Sequence, residues 1–213
     1  IHYYGNVAED IEKDSIRQDY HSVGAEFELK SSKDRDDVIF DGVEVKYMRF
    51  FDAFDGAENN LQFLAEVSTP VREELFRLDV DAQYLNTTFD TLAQDYFIFG
   101  LRPRVESQYG KLHFTLGIHA YLTGDLTAES TRANFFPQID VTYGVVDDIL
   151  IAYGGWDGRL MPNSYRSLTD QNPFITDYFQ PQITVQKWRI FAGLKGALSS
   201  QASFNVRAQF ASY

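Results

Sequence analysis

Two histidines, His113 and His119, are the first side chains in this sequence whose types and spacing suggest chemistry. As a metal pair on an extended segment they fail on distance, because six residues at about 3.3 Å each set them roughly 20 Å apart. Each would need further ligands from neighbouring strands, and the sequence identifies none, so neither a metal nor a cofactor is expected. A hydrolase set on a sheet needs Ser, His and Asp or Glu near one rim. Asp140 is the acid that an adjacent strand could bring to His113, but no Gly-x-Ser-x-Gly marks a nucleophile. No catalytic residue is assigned, and the chain is read as non-enzymatic. The acidic stretch DAFDGAEN, residues 52–59, could attract Ca²⁺, yet its oxygens do not follow EF-hand spacing.

Charges at every second position say more. Arg77, Asp79 and Asp81 alternate along one segment, and Arg102, Arg104 and Glu106 along another. If the two pair antiparallel, the charges meet across the ladder. They would then line a watery channel or knit an interior shut. Pro103 cannot donate to a ladder, so a bulge or local irregularity is expected there.

The elements that must position these residues show a period of two, the mark of a strand with one apolar and one polar face. In KLHFTLGIHAYL, residues 111–122, Leu112, Phe114, Leu116, Ile118, Ala120 and Leu122 alternate with Lys111, His113, Thr115, Gly117, His119 and Tyr121. The same alternation sets Val23 to Leu29 against Glu26, Glu28 and Lys30, and Val43, Val45 and Tyr47 against Glu44 and Lys46. It continues through Leu61 to Val67, Leu78 to Tyr84, Leu101 and Val105, Ile139 to Tyr143, Trp188 to Leu194 and Phe204 to Phe210. ILIAYGGW is apolar on both sides and leaves its faces open. The count is about ten strands of about 8 to 13 residues, longer than is usual in soluble sheets and near the ~9–11 that cross a bilayer.

Composition narrows the partners. With 31 acidic against 19 basic residues the formal net charge is −12, which repels a phosphate backbone, so no nucleic acid is expected. There are no cysteines, hence no disulfide or thiol chemistry. No apolar run approaches the ~18 residues of a membrane helix. Ile1 opens the chain without a basic start or an apolar signal core, so a mature form or a fragment is expected.

Connections are expected to alternate in length. Residues 107–110, 145–148 and 197–201 look short, and residues 52–59, 86–94, 123–134 and 157–181 long, the habit of outer-membrane barrels. Within the longest, Ser164 to Asp170 is expected to form a short helix ended by the Asn-Pro step. Aromatics gather toward strand ends: Tyr47, Phe50 and Phe51; Tyr96, Phe97 and Phe99; Phe135 and Phe136; Tyr153 and Trp156; Trp188. That is the distribution of membrane-interface girdles. Ten strands turning four or five large side chains inward would overfill a barrel of this size, so the apolar faces are expected to meet lipid. Tyr47, Phe63, Tyr84, Phe114, Tyr143, Trp156, Trp188 and Phe204 are then lipid-facing or girdle residues. Glu26, Glu28, Glu44, Lys46, Arg77, Asp79, Asp81, Arg102, Arg104, Glu106, His113, His119, Asp140, Arg189 and Arg207 are the polar residues expected in the lumen.

The segments FFPQIDVTYGVVDDILIAYGGWDG, NSYRSLTDQNPFI and IFAGLKGALSSQASFNVRAQF resemble a family of outer-membrane β-barrel proteins from Bacteroidota, often loosely labelled porin-like or TonB-dependent-receptor-like. The residues that carry the resemblance are Phe136 and Pro137, then Asn172, Pro173 and Phe174, then Ala192 to Gly196 with Ser199 and Ser200. It is good over about residues 95–213 and faint before. It implies an outer-membrane location and a longer chain, with further strands beyond Tyr213. No plug domain is present, so a true TonB-dependent receptor is not implied.

The expected fold is therefore all-β, an antiparallel up-and-down transmembrane β-barrel with about ten strands in this chain and more beyond it. Residues 1–20 are expected to form a charged leading loop or short helix, and residues 21–213 the strands. The expected role is solute passage, or a structural or accessory part in the envelope of a Gram-negative bacterium, with the lipid bilayer and other envelope proteins as partners. The alternative is a soluble β-barrel binding an apolar ligand in its interior.

Overall fold

The computed structural model describes residues 18–31, 39–89, 92–146, 149–172, 182–199 and 201–213. Ten strands run up and down in chain order: β1 (Tyr20–Lys30), β2 (Phe40–Asp52), β3 (Ala57–Val71), β4 (Glu74–Phe89), β5 (Leu92–Tyr109), β6 (Leu112–Asp125), β7 (Ser130–Val146), β8 (Leu150–Met161), β9 (Thr184–Ser199) and β10 (Ala202–Ser212). One short helix, α1 (Tyr165–Gln171), lies between β8 and β9. All strands belong to one antiparallel sheet ordered β1 to β10, and β1 and β10 are not paired with each other. Among the described residues the sheet is open, with β1 and β10 at its edges. Most of the expected leading segment, residues 1–17, lies outside the described residues.

The strands run from 11 to 18 residues; β1, β2, β8 and β10 keep within the expected 8 to 13, and the other six exceed it. The extra length comes from segments expected to be loops. Between β2 and β3 only residues 53–56 remain outside strands and between β6 and β7 residues 126–129, while β4 runs to Phe89 and β5 starts at Leu92. The widest separation at that end of the sheet, here called the long-loop end, lies between Met161 of β8 and Thr184 of β9. At the other end residues 31–39 separate β1 from β2, so connection lengths do not alternate strictly. The reason is side-chain pairing in polar stretches whose composition suggests loop. Asn59, Asn86 and Asp95 stand in one row across β3, β4 and β5. Asn59 donates to Asn86 at 3.1 Å and Asn86 to Asp95 at 2.5 Å, which keeps these strand ends in the ladder.

A tight turn joins β5 to β6 at the opposite end. Gly110 has φ 58° between β5 and β6, a left-handed conformation that glycine adopts without a Cβ penalty. Pro103 brings the local irregularity expected of it but no bulge. The β4–β5 register passes straight through Leu78↔Pro103, while toward β6 the ladder skips residues 102 and 103 and resumes in the same register at Arg104↔Gly117.

Register partners climb steadily across the sheet. The row Leu29–Val43–Ala65–Val80–Leu101–Ala120–Phe135 starts beside the last residue of β1 and finishes near the long-loop end of β7. The row Phe76–Val105–Leu116–Ile139–Trp156–Ile190–Phe210 starts near the opposite end of β4 and climbs to the long-loop end of β10. Such stagger accompanies strands tilted against the axis about which a sheet curls.

The curl is visible in the contacts of residues 163–165. Asn163 Nδ2 donates to Gln182 O at 2.6 Å and to Thr184 Oγ1, at the start of β9, at 2.9 Å. Tyr96 Oη, on β5, donates to Asn163 O at 2.8 Å. The Tyr165 amide donates to Glu58 on β3, and its hydroxyl to Asp52 Oδ2 on β2. Three residues span about 10 Å when extended, whereas β2 and β9 would stand roughly 34 Å apart in a flat sheet. The sheet therefore bends around this segment, and the face toward it is the inner face.

Candidate functional site: the inner face and the segment that crosses it

Alternation distributes the side chains between the two faces. All fifteen polar residues singled out from the sequence fall on the inner face: Glu26, Glu28, Glu44, Lys46, Arg77, Asp79, Asp81, Arg102, Arg104, Glu106, His113, His119, Asp140, Arg189 and Arg207. Tyr47, Phe63, Tyr84, Phe114, Tyr143, Trp156, Trp188 and Phe204 fall on the outer face. In ILIAYGGW, Ile151, Tyr153 and Gly155 point inward, with Ala152, Gly154 and Trp156 outward.

The aromatic clusters at strand ends divide in the same way, which corrects their reading as a common girdle. Phe50, Tyr96 and Phe136 are buried on the inner face, and Tyr153 also points inward. Neighbours along a strand point to opposite faces, so only one of Phe50 and Phe51, or of Phe135 and Phe136, can face out.

The β4–β5 charges pair across the antiparallel ladder mostly on the diagonal, since the register sets Asp79 opposite Arg102 but Arg77 opposite Arg104. Asp79, 7% exposed, receives Arg104 at 2.5 Å and lies 3.8 Å from Arg102. Arg102 reaches Asp81 at 3.3 Å, and Glu106 receives both Arg104 and Arg77 at 3.1 Å. Gly100 stands opposite Asp81, and a Cβ there would collide with its carboxylate, so glycine is what lets Asp81 lie over the strand. Farther round, Asp157 and Arg189 form a two-pronged pair across β8 and β9, the fork geometry that holds a guanidinium in one orientation. Arg207 stacks on Phe191 with its guanidinium carbon 4.1 Å from the ring centre. Toward the free edges Glu26, Glu28 and Arg207 are exposed.

The histidines do not meet. His119 places Nδ1 3.0 Å from Gly158 O and Nε2 3.1 Å from Gln138 Oε1. His113 is exposed and stands opposite Thr142, while Asp140 stands opposite Thr115 and receives Gln138 at 3.2 Å. The acidic turn is occupied by its own backbone: Asp52 Oδ1 accepts the Phe54 and Gly56 amides at 2.9 and 2.8 Å.

Of the side chains that organise the long-loop end, Phe50, Tyr96 and Phe136 stood out in the sequence only as girdle aromatics, and Tyr165, Phe89, Leu85, Ile98 and Leu160 did not. Helix α1 forms where expected, capped by Ser164, whose side chain accepts the Ser167 amide while Ser167 Oγ accepts the Ser164 amide. Its first residue, Tyr165, is 1% exposed and packs edge-on against Phe50 and Phe89, with ring centres 5.4 and 4.8 Å away. Arg166 reaches the Met48 sulfur. A second cluster of Leu85, Tyr96, Ile98, Phe136 and Leu160 packs beside it on the inner face. A further hint in the sequence was the apolar Leu85 and Ile98 continuing polar alternations on that face.

The outer face is different in kind. The row Phe27–Val45–Phe63–Ala82–Phe99–Leu122–Ala133 carries no charge, and neither do the two climbing rows given above. Phe27 is 59% exposed, Ile118 52% and Phe135 71%. Toward the long-loop end this apolar surface stops at the row Arg49–Asn59–Asn86–Asp95. Tyr47 and Tyr84 lie one row below and turn their hydroxyls up to it, Tyr47 onto Asn59 at 2.8 Å and Tyr84 onto Asp95.

No protein-family model, curated protein or solved structure matches the chain.

Proposed function

We propose that this chain forms the wall of a transmembrane β-barrel in the outer membrane of a Gram-negative bacterium. In this reading it is a non-enzymatic protein of the porin-like Bacteroidota type that passes a solute or serves a structural or accessory role in the envelope. The observation that carries the reading is the uncharged, exposed outer face beside a charged inner face on the same strands. A contiguous apolar surface spanning seven strands far exceeds what a soluble monomer exposes, and lipid removes its cost. The tyrosines below the Arg49–Asp95 row have the aspect of an interface girdle, ring in the apolar zone and hydroxyl toward water.

Two more features support it. The row stagger supplies the shear that closure demands. The free edges of β1 and β10 are where further strands of a larger barrel would continue the ladder. A soluble barrel holding an apolar ligand needs its apolar side within, and the inner face carries Asp79, Asp81, Arg102 and Arg104 instead.

Fractionation of the full-length protein, followed by gel migration with and without boiling, tests this. Outer-membrane protein whose unboiled form migrates differently is the expected result. Protein that stays soluble without detergent would overturn the reading.

A further inference from the structure

We propose that the long-loop end holds a binding site for a free α-amino acid with an aliphatic side chain, held as its zwitterion between Asp125 and Arg132. The site does not depend on whether the barrel passes a solute.

The site is a cavity of about 300 Å³ on the inner face of β5–β7, the low end of small-ligand sites. Its β6–β7 side is charged. Asp125 stands opposite Ser130 and Arg132 opposite Thr123, so acid and base are diagonal neighbours across the ladder, about 7–8 Å apart at Cα. Both line the cavity. A long arginine could span that diagonal, yet among the described residues neither forms an ion pair.

Asp125 is held by its own turn instead. Its Oδ1 accepts the Thr127 and Ala128 amides at 3.0 and 2.9 Å, which leaves Oδ2 for a donor from the cavity. Arg132 offers the planar fork that a carboxylate fits with two parallel bonds.

The β8 and β9 side is apolar. Leu160, Ile183 and Val185 line it and pack into the buried cluster of Leu85, Ile98 and Phe136. One ligand class answers both sides. A neutral sugar would leave two charges unpaired, and a lone cation or anion would leave one, each at a desolvation cost. An α-amino acid carries ammonium and carboxylate on one carbon, so it meets Asp125 and Arg132 together. Its aliphatic side chain then covers the apolar side.

Calorimetric titration of the full-length protein in detergent tests the site, with L-leucine, leucinamide, N-acetyl-leucine and glucose as probes. Heat-modifiable migration shows that each variant is folded. Leucine binds, and the other three bind at least about tenfold more weakly, because each lacks a charged partner. Arg132→Gln weakens leucine about tenfold and leaves leucinamide unchanged. Asp125→Asn, which keeps an oxygen for the turn amides, weakens leucine and leaves N-acetyl-leucine unchanged. Asn134→Trp, which fills the cavity, removes leucine binding. Leucine held no more tightly than glucose would overturn the site. So would equal leucine affinity in Arg132→Gln and the wild type, or equal losses of leucine and leucinamide in that variant.

Discussion

On the outer face, the row Phe27–Val45–Phe63–Ala82–Phe99–Leu122–Ala133 presents seven uncharged side chains. The inner row beside it, Glu26–Lys46–Gln62–Gln83–Ile98–Thr123–Arg132, carries charge or amide at five of its seven positions. The two share strands, hydrogen bonds and register. They differ in what stabilises them. Inner side chains find partners within the protein, such as Arg104 with Asp79 or Tyr165 with Glu58. The outer ones, Phe135 at 71% exposure for instance, find few and must be stabilised by the surroundings. The difference teaches that an open sheet can be internally satisfied on one side and dependent on its environment on the other.

Substitutions on each face can break that contrast. The largest effect is expected at Tyr165→Ala, which empties the packed end of the inner face at a cost of about 3–5 kcal/mol. Trypsin cleavage at Arg166, slow in the wild type and fast in the variant, reports it, and equal rates would show that Tyr165 does not anchor the segment of residues 163–165 to the sheet. Next is Leu101→Arg, a charge mid-strand on the outer face. In lipid it costs about 2–4 kcal/mol, read as loss of the heat-modifiable form, whereas a tolerated arginine would mean that this face meets water. Asp79→Ala strips Arg104 of a buried partner at about 1–3 kcal/mol. Its urea midpoint should fall, while Glu26→Ala on the exposed part of the same face should leave the midpoint unchanged. The smallest effect belongs to Gly110→Ala, a turn on neither face, at about 1 kcal/mol for the left-handed backbone. A loss there as large as that of Leu101→Arg would show that unfolding reports turn strain rather than the faces.

Much of this was legible in the residue order. The assignment of each of the fifteen polar and eight apolar or aromatic residues to a face follows from a period of two, and α1 follows from Ser164 and the Asn172-Pro173 step. Loop lengths were not legible. Asn59, Asn86 and Asp95 have the composition of loops, and only their cross-strand alignment makes them strand residues. The aromatic pairs misled for a related reason, since grouping along the chain ignores that neighbours face apart. The candidate site was half visible: the ionic residues alternate openly, but Glu58 and Asp52 looked like parts of an acidic loop.

By itself the sequence determined the strands, their two-sidedness and their order, because these depend on interactions between residues close in the chain or on adjacent hairpins. Only the tertiary structure decided which face curls inward, that the sheet stays open between β1 and β10, and that residues 163–165 bridge β9, β5, β3 and β2. Those outcomes depend on accumulated twist and stagger over ten strands, and on contacts between residues more than a hundred positions apart, such as Tyr165 with Asp52. No local period encodes a distance of that kind.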